Sequence, residues 1–169
     1  PRLVVFLRRS GSSEERSQYD VRFGDHHRYR HRDVGLFGYS LSFGTDHFGI
    51  IGDLSWLGLE GVSKTEAYVE GQSIPNLVFC LFQMMFAVIT PALITGSVGG
   101  RMKFKSLFFF IVFWSILVYY PMAHMVWADG GFLAKIGSVD FAGGNVVHIS
   151  SGVTALVLCI LLGKRYDHE

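Results

Sequence analysis

The chain is short of net charge, cysteine and proline, and the first two shortages each remove a class of protein. Its 169 residues carry 15 Lys and Arg against 14 Asp and Glu, a net charge of +1. There is no basic excess to hold nucleic acid. Only two cysteines are present. Cys80 and Cys159 both lie inside apolar runs, where they read as small packing residues rather than a disulfide, a metal pair or a nucleophile. Half of the residues are hydrophobic and 15% are aromatic, which excludes a disordered polar chain.

What charge there is falls unevenly. Most of the arginines and histidines crowd into the first 33 residues, whereas long charge-free runs occupy residues 74–163. The second part reads as membrane protein. Crossing roughly 30 Å of hydrocarbon takes about 20 apolar residues at 1.5 Å each. Residues 74–98, 104–127 and 143–163 meet that length and are too long and unbroken to be buried strands. A shorter apolar stretch, 34–43, looks like the tail of a helix. The architecture predicted is an all-α, multi-pass membrane helix bundle.

Basic residues set the orientation. Arg101, Lys103 and Lys105 separate the first two spans, and Lys164 and Arg165 follow the third. The positive-inside bias places both clusters in the cytoplasm. The loop 44–73 and the link 128–142 then share the outer face. Pro91 and Pro121 each remove a main-chain hydrogen bond within a span, so kinks are expected there. Gly96, Gly99 and Gly100 form a small-residue face that would allow close helix approach.

Several residues have both a structural and a functional reading. Phe82 and Phe86 stand one turn apart with Gln83 beside them: ordinary helix packing, or ring faces lining a cation path with an attraction of about 0.5 to 2 kcal/mol. Trp127 is an interfacial anchor or part of the same aromatic face. Asp140 precedes a helix start, where a carboxylate accepts backbone N–H bonds and favours the positive dipole end. His148 sits inside the third span, an expensive place for an ionisable ring. It is either a core histidine satisfied by a carbonyl or a residue of an internal path. His124, near the outer end of the second span, reads as a packing or interface group.

Three motifs in order carry a resemblance. FQMMFAVIT at 82–90, AHMVW at 123–127 and DFAGGNVVHI at 140–149 resemble the ammonium transporter (Amt/Mep/Rh) family, the Amt branch in particular, and GYSLSFG at 38–44 fits the end of that family's second helix. The resemblance covers about residues 36–165. It implies ammonium or ammonia transport across a cell membrane, with no enzymatic step and no cofactor. Phe86, Trp127 and Asp140 would form an outer recruitment site, with Phe82 on the same face and His148 as a pore-lining histidine.

The implied fold is an eleven-helix protomer of two inverted repeats, assembled as a homotrimer in the bilayer and open to a cytosolic regulatory protein. This chain carries the first repeat from about the end of its second helix to its fifth. Inverted-repeat transporters build their path between both halves, so the fragment alone is expected to enclose no pore and to transport nothing. Two other functions are compatible with these spans. One is a membrane ammonium sensor; the other is a helical subunit binding haem or quinone through His124 and His148.

Residues 1–35 do not fit this pattern. Their basic, polar composition suits a cytoplasmic arm, or a metal cluster at His26, His27 and His31. A third reading is a frameshift product. Taking each codon's second and third bases with the first base of the next permits FYGGLVRRKNVLNTM across residues 6–21, the string the family carries between its first two helices. The same offset recodes the polar stretch that follows into an apolar one. Sequencing the source DNA tests this, by the presence or absence of an insertion or deletion near codons 34 to 36.

Overall fold

A computed structural model describes residues 37–165. The anomalous segment 1–35 lies outside the described residues. The chain order is α1 (Tyr39–Phe43), a hairpin of β1 (Asp46–His47) and β2 (Ile51–Gly52), a 3-10 turn (Leu57–Leu59), α2 (Asn76–Val98) and α3 (Phe104–Trp114). A π-helical turn (Ser115–Tyr119), α4 (Tyr120–Trp127), α5 (Phe132–Lys135), a second π-helical turn (Gly144–Ile149) and α6 (Ser150–Leu162) follow.

Three stretches are long and apolar enough to cross a membrane: Asn76–Val98, Phe104–Lys135 and Gly144–Leu162. They match the expected spans, with the second counted through the short α5. Hydroxyls inside them are satisfied within their own helix: Thr90 donates to the Phe86 carbonyl at 2.7 Å, Ser151 to Val147 at 2.6 Å and Thr154 to Ser150 at 2.7 Å. That matters because an unpaired polar group in hydrocarbon costs several kcal/mol, by order of magnitude.

The two prolines act differently. α2 runs unbroken through Pro91. Pro121 falls just after the first π turn, where the Tyr120 N–H bonds the Ser115 carbonyl five residues back. The wider turn shifts the hydrogen-bond register immediately before the residue that has no N–H to give. The small-residue face also departs from expectation. A Cβ added at Gly96 or Gly100 would meet nothing within 4 Å, and α6 reaches this stretch through its main chain instead, Cys159 Sγ lying 3.8 Å from the Ser97 carbonyl and Arg165 beyond the helix donating to the Gly96 carbonyl at 3.0 Å.

α2 packs along α6, and α1 packs on α4. Ile94, Val98, Ile111, Trp114, Ala123, Val126 and Val146 are buried where the long helices meet. The Trp114 indole donates to Thr154 Oγ1 at 2.9 Å, tying α3 to α6 at a net gain of about 1 kcal/mol. Cys80 and Cys159 are free thiols. A second apolar cluster caps one end of the bundle. Tyr39 stacks on Trp56 at 5.7 Å, Tyr68 stacks on Phe79 at 4.9 Å, and the Tyr39 hydroxyl bonds Asn76 Oδ1.

The hairpin lies on the end of α1. A Cβ on Gly52 would sit 2.4 Å from the Ser40 carbonyl oxygen, so only glycine lets β2 lie flat there. Its tight turn has Phe48 at φ 59 and Gly49 at φ 73, closed by Ile50 N–H to His47 O at 3.1 Å. His47 pairs with Ile51, so residues 48–50 form a three-residue loop in which Phe48 and Gly49 take the positive φ that tight hairpin loops use. Opposite faces of the helices remain open: Val78, Leu81, Phe82, Met85 and Ile89 on α2 and Val153, Leu156 and Ile160 on α6 are exposed.

Candidate functional site

The capped end brings together residues from α2, α4 and the link before the third span. Phe82 and Phe86 project from α2 with ring centroids 5.1 Å apart, edge to face. The ring centroids of Phe86 and Trp127 lie 5.5 Å apart, with the planes tilted by 54°. Trp127 ends α4 and packs against both apolar clusters, so its indole is fixed from two sides. Its Nε1–H donates to the main-chain carbonyl of Asp140 at 2.8 Å. The hydrogen-bonding edge is thereby turned to the link, and the ring face stays beside Phe86.

Asp140 holds the start of the third span. Its Oδ1 accepts the N–H groups of Gly143 at 2.7 Å and Gly144 at 2.6 Å, and its Oδ2 those of Asn145 at 2.7 Å and Val146 at 3.1 Å. These are the otherwise orphaned donors of a helix beginning. Burial pushes the Asp140 carboxyl up, but the four N–H bonds outweigh it and hold it below its ordinary value. Gly143 adopts φ +89, and a Cβ there would lie 2.7 Å from Val147 Cγ2 and 3.8 Å from Phe86 Cε1. Glycine thus lets the link turn sharply against the α2 ring.

His148 lies on the second π turn, which follows at once. Its N–H and that of Val147 both bond the Gly143 carbonyl, at 3.0 and 2.9 Å. Its ring is exposed, with no hydrogen bond or ring contact joining it to Phe86 or Trp127 among the described residues. The chain therefore gathers Phe82, Phe86, Trp127 and Asp140 and leaves His148 just beyond them, on an open side of the bundle. A π turn at this position signals a local departure from regular helix of the kind common at functional sites.

His124, read from the sequence as a packing or interface group, also has polar partners. The ring is fully buried, with Nδ1 3.0 Å from the Ser42 carbonyl oxygen and Nε2 3.0 Å from Asp46 Oδ1. With both nitrogens engaged by protein acceptors, none is left for a haem iron, which removes His124 from that reading. Asp46 was missed altogether. Its Oδ1 also accepts the Gly49 N–H at 2.7 Å, and Lys135 Nζ lies 3.7 Å from Oδ2. The His124 hydrogen bond chiefly, with the Gly49 N–H and Lys135 beside it, holds the Asp46 carboxyl below its ordinary value against the upward push of burial. An Asp three residues ahead of Gly49 is an Asx-turn signal, but nothing local announces a partner 78 residues away.

Comparison with known proteins fixes what this arrangement belongs to. A family model described as Ammonium Transporter Family matches residues 34–169. The chain belongs to the ammonium transporter family. It is 52% identical over 132 residues to an ammonium transporter of Bacillus subtilis, covering 78% of this chain and 32% of that protein. A putative ammonium transporter of Methanothermobacter thermautotrophicus is 50% identical over 134 residues, covering 79% and 32%.

The crystal structure of Candida albicans Mep2 superposes with a TM-score of 0.76 at 34% identity, covering 84% of this chain and 31% of that one. A structure titled Sensor Amt Protein superposes at 0.79 with 23% identity, covering 93% and 38%, and shares the fold. The chain thus spans 32% of the length of the Bacillus relative it matches. It is part of a multi-pass membrane protein of a transporter family, not of an enzyme class.

Proposed function

We propose that the whole protein passes ammonium or ammonia across a cell membrane, with Phe86, Trp127 and Asp140 forming the outer recruitment site. The observation that carries this reading is the Phe86–Trp127 pair at 5.5 Å, held with the indole N–H turned away into the Asp140 carbonyl. A ring face fixed in this way attracts a small cation by about 0.5 to 2 kcal/mol, offsetting part of its lost hydration. The Asp140 carboxylate is saturated by four N–H groups, so its part is to build the link and lend negative charge, not to ligate the ion.

Beyond the recruitment site, Phe82 and His148 line the route. Neutral ammonia enters a dry passage far more easily than an ion does, and His148 in its neutral form accepts or relays a hydrogen bond or proton there. Potassium lacks donors, so selectivity rests on ammonium N–H groups finding acceptors. The complete protein is a homotrimer in this reading, with a cytosolic regulatory protein as a further partner.

The test is a chimera in which residues 37–165 replace the matched segment of the Bacillus transporter. Trp127→Leu in a transporting chimera should raise the half-saturation concentration for ammonium roughly 2- to 30-fold, the equivalent of the cation–π range. Unchanged ammonium and methylammonium uptake would remove Trp127 from the site.

A further inference from the structure

A cation that sheds water at an aromatic pair needs acceptors for its N–H groups, and several oxygens beside the Phe86–Trp127 pair already hold donors. Both carboxylate oxygens of Asp140 receive main-chain N–H groups. The Asp140 carbonyl receives the Trp127 indole at 2.8 Å, the Gly143 carbonyl two N–H groups at 2.9 and 3.0 Å, and the Phe86 carbonyl the Thr90 hydroxyl at 2.7 Å. Asn76 Oδ1 receives the Tyr39 hydroxyl. Among the described residues, one buried side-chain oxygen has no donor, Gln83 Oε1.

Gln83 is only 9% exposed and lies on α2 between Phe82 and Phe86 in the chain. At roughly 100° per residue it stands about 60° around the helix from Phe86, on the buried side, with Cys80 one turn before it and Ala87 one turn after. Cys80 belongs to the aromatic cap and Ala87 to the main core, and Trp127 packs against both clusters. The amide is thus set at the depth of Trp127, on the inner flank of the Phe86 ring. A carbonyl buried without a donor weakens the fold that holds it, which an apolar side chain of the same length would not do. Packing alone gives no reason for an amide on this face, where Cys80, Ala87, Val88 and Ile94 are its buried companions. An acceptor kept free for an arriving N–H does give one.

We propose that Gln83 Oε1 accepts an N–H of the substrate as ammonium, or the ammonia formed from it, passes inward from the Phe86–Trp127 pair, which makes Gln83 a further binding residue of the route. This assignment rests on the transport reading above and adds a residue to it. Ring faces attract a small cation whether or not it has donors, whereas a carbonyl oxygen hydrogen-bonds only a partner with an N–H or O–H. Recruitment then belongs to the aromatic pair and recognition of the N–H to the amide. The step exchanges a hydrogen bond to water for one to Oε1, and no covalent bond changes. Three rotatable side-chain torsions let the amide swing past the edge of Phe86 to meet its partner.

Gln83→Met keeps the length of the side chain and removes the acceptor. In the transporting chimera it should raise the half-saturation concentration for ammonium roughly tenfold or more, the worth of one hydrogen bond to a charged partner. Its melting temperature should equal or exceed that of the parent chimera, because a buried oxygen without a donor has been taken away. Unchanged half-saturation overturns the proposal, and so does a raised one accompanied by a lower melting temperature, which would make Gln83 a packing residue. The two readings fail separately: unchanged uptake in Trp127→Leu removes the aromatic site, while unchanged uptake in Gln83→Met alone removes this acceptor and leaves that site standing. Should Gln83→Met not fold, or the chimera carry no ammonium, carbon-13 NMR of the glutamine-labelled full chain in lipid nanodiscs decides, with the Gln83 signal identified through a carbonyl-labelled Phe82. A side-chain carbonyl signal that moves with ammonium chloride and not with tetramethylammonium chloride, a cation without N–H groups, upholds the proposal. Any other pattern overturns it.

Discussion

Trp127 and Asp140 are joined at 2.8 Å, indole Nε1–H to main-chain carbonyl, across the turn that links the second and third spans. One bond thus fixes both the ring that ends α4 and the residue that caps the next helix. Because the bond uses the indole edge, the ring face and the donor are separable by substitution.

Trp127→Phe keeps an aromatic face and removes the donor. Leaving the Asp140 carbonyl without this partner should lower stability by about 1 kcal/mol. In the chimera, half-saturation for ammonium should rise less than in Trp127→Leu, because a ring face remains beside Phe86. Thermal unfolding gives the first quantity and uptake the second. Equal transport defects in the two variants would place the role in the N–H and not in the ring.

Asp140 supports four main-chain donors at once, at 2.7, 2.6, 2.7 and 3.1 Å. Asp140→Ala should therefore cost at the upper end of the usual capping range of about 0.5 to 2 kcal/mol. Asp140→Asn retains one acceptor oxygen and should fall between parent and alanine. Melting in detergent by intrinsic fluorescence orders the three chains. If alanine and parent melt together, the carboxylate is not what holds the helix start.

How much of this was legible in the sequence depended on how far apart the interacting residues lie. Spans were readable because length and apolarity are local, and their bounds moved by only a residue or two at α2 and the second π turn. The Asp140 cap was readable for the same reason: the carboxylate precedes by three residues the first N–H it holds. The pairing of Asp46 with His124 was not, since it depends on α1 and α4 packing side by side. Nor were the π turns, which arise from main-chain bonds that residue type only weakly encodes. Gly96 shows the converse, a local small-residue pattern that meets its neighbours only through the main chain, its carbonyl accepting from Arg165 at 3.0 Å.

Acid should loosen this end of the molecule. Asp140 and Asp46 both have carboxyls held below the ordinary value, Asp140 because four N–H bonds outweigh its burial and Asp46 chiefly by its bond to His124. A carboxyl lowered on folding contributes stability that is present above the unfolded value of ~4 and lost as pH falls through the folded one. The chain should thus melt at progressively lower temperature below ~pH 4, and less steeply in Asp140→Asn, which has one fewer such group. A melting temperature flat through this range would show that neither carboxylate is coupled to folding.

Two glycines of similar size and opposite surroundings separate packing from propensity. A Cβ on Gly131 would lie 2.4 Å from the His124 carbonyl oxygen and 2.5 Å from that of Met125, both main-chain atoms that cannot swing away. Gly131→Ala should push the turn off the end of α4 and cost about 1 to 3 kcal/mol, as overpacking does. Gly152, in the first turn of α6, would place its Cβ in open space. Gly152→Ala should stabilise the chain by roughly 0.5 to 1 kcal/mol through the lower entropy of its unfolded state. Melting of the two variants beside the parent reads both signs. A harmless Gly131→Ala would mean that the 128–135 turn does not rest on α4 as the geometry requires.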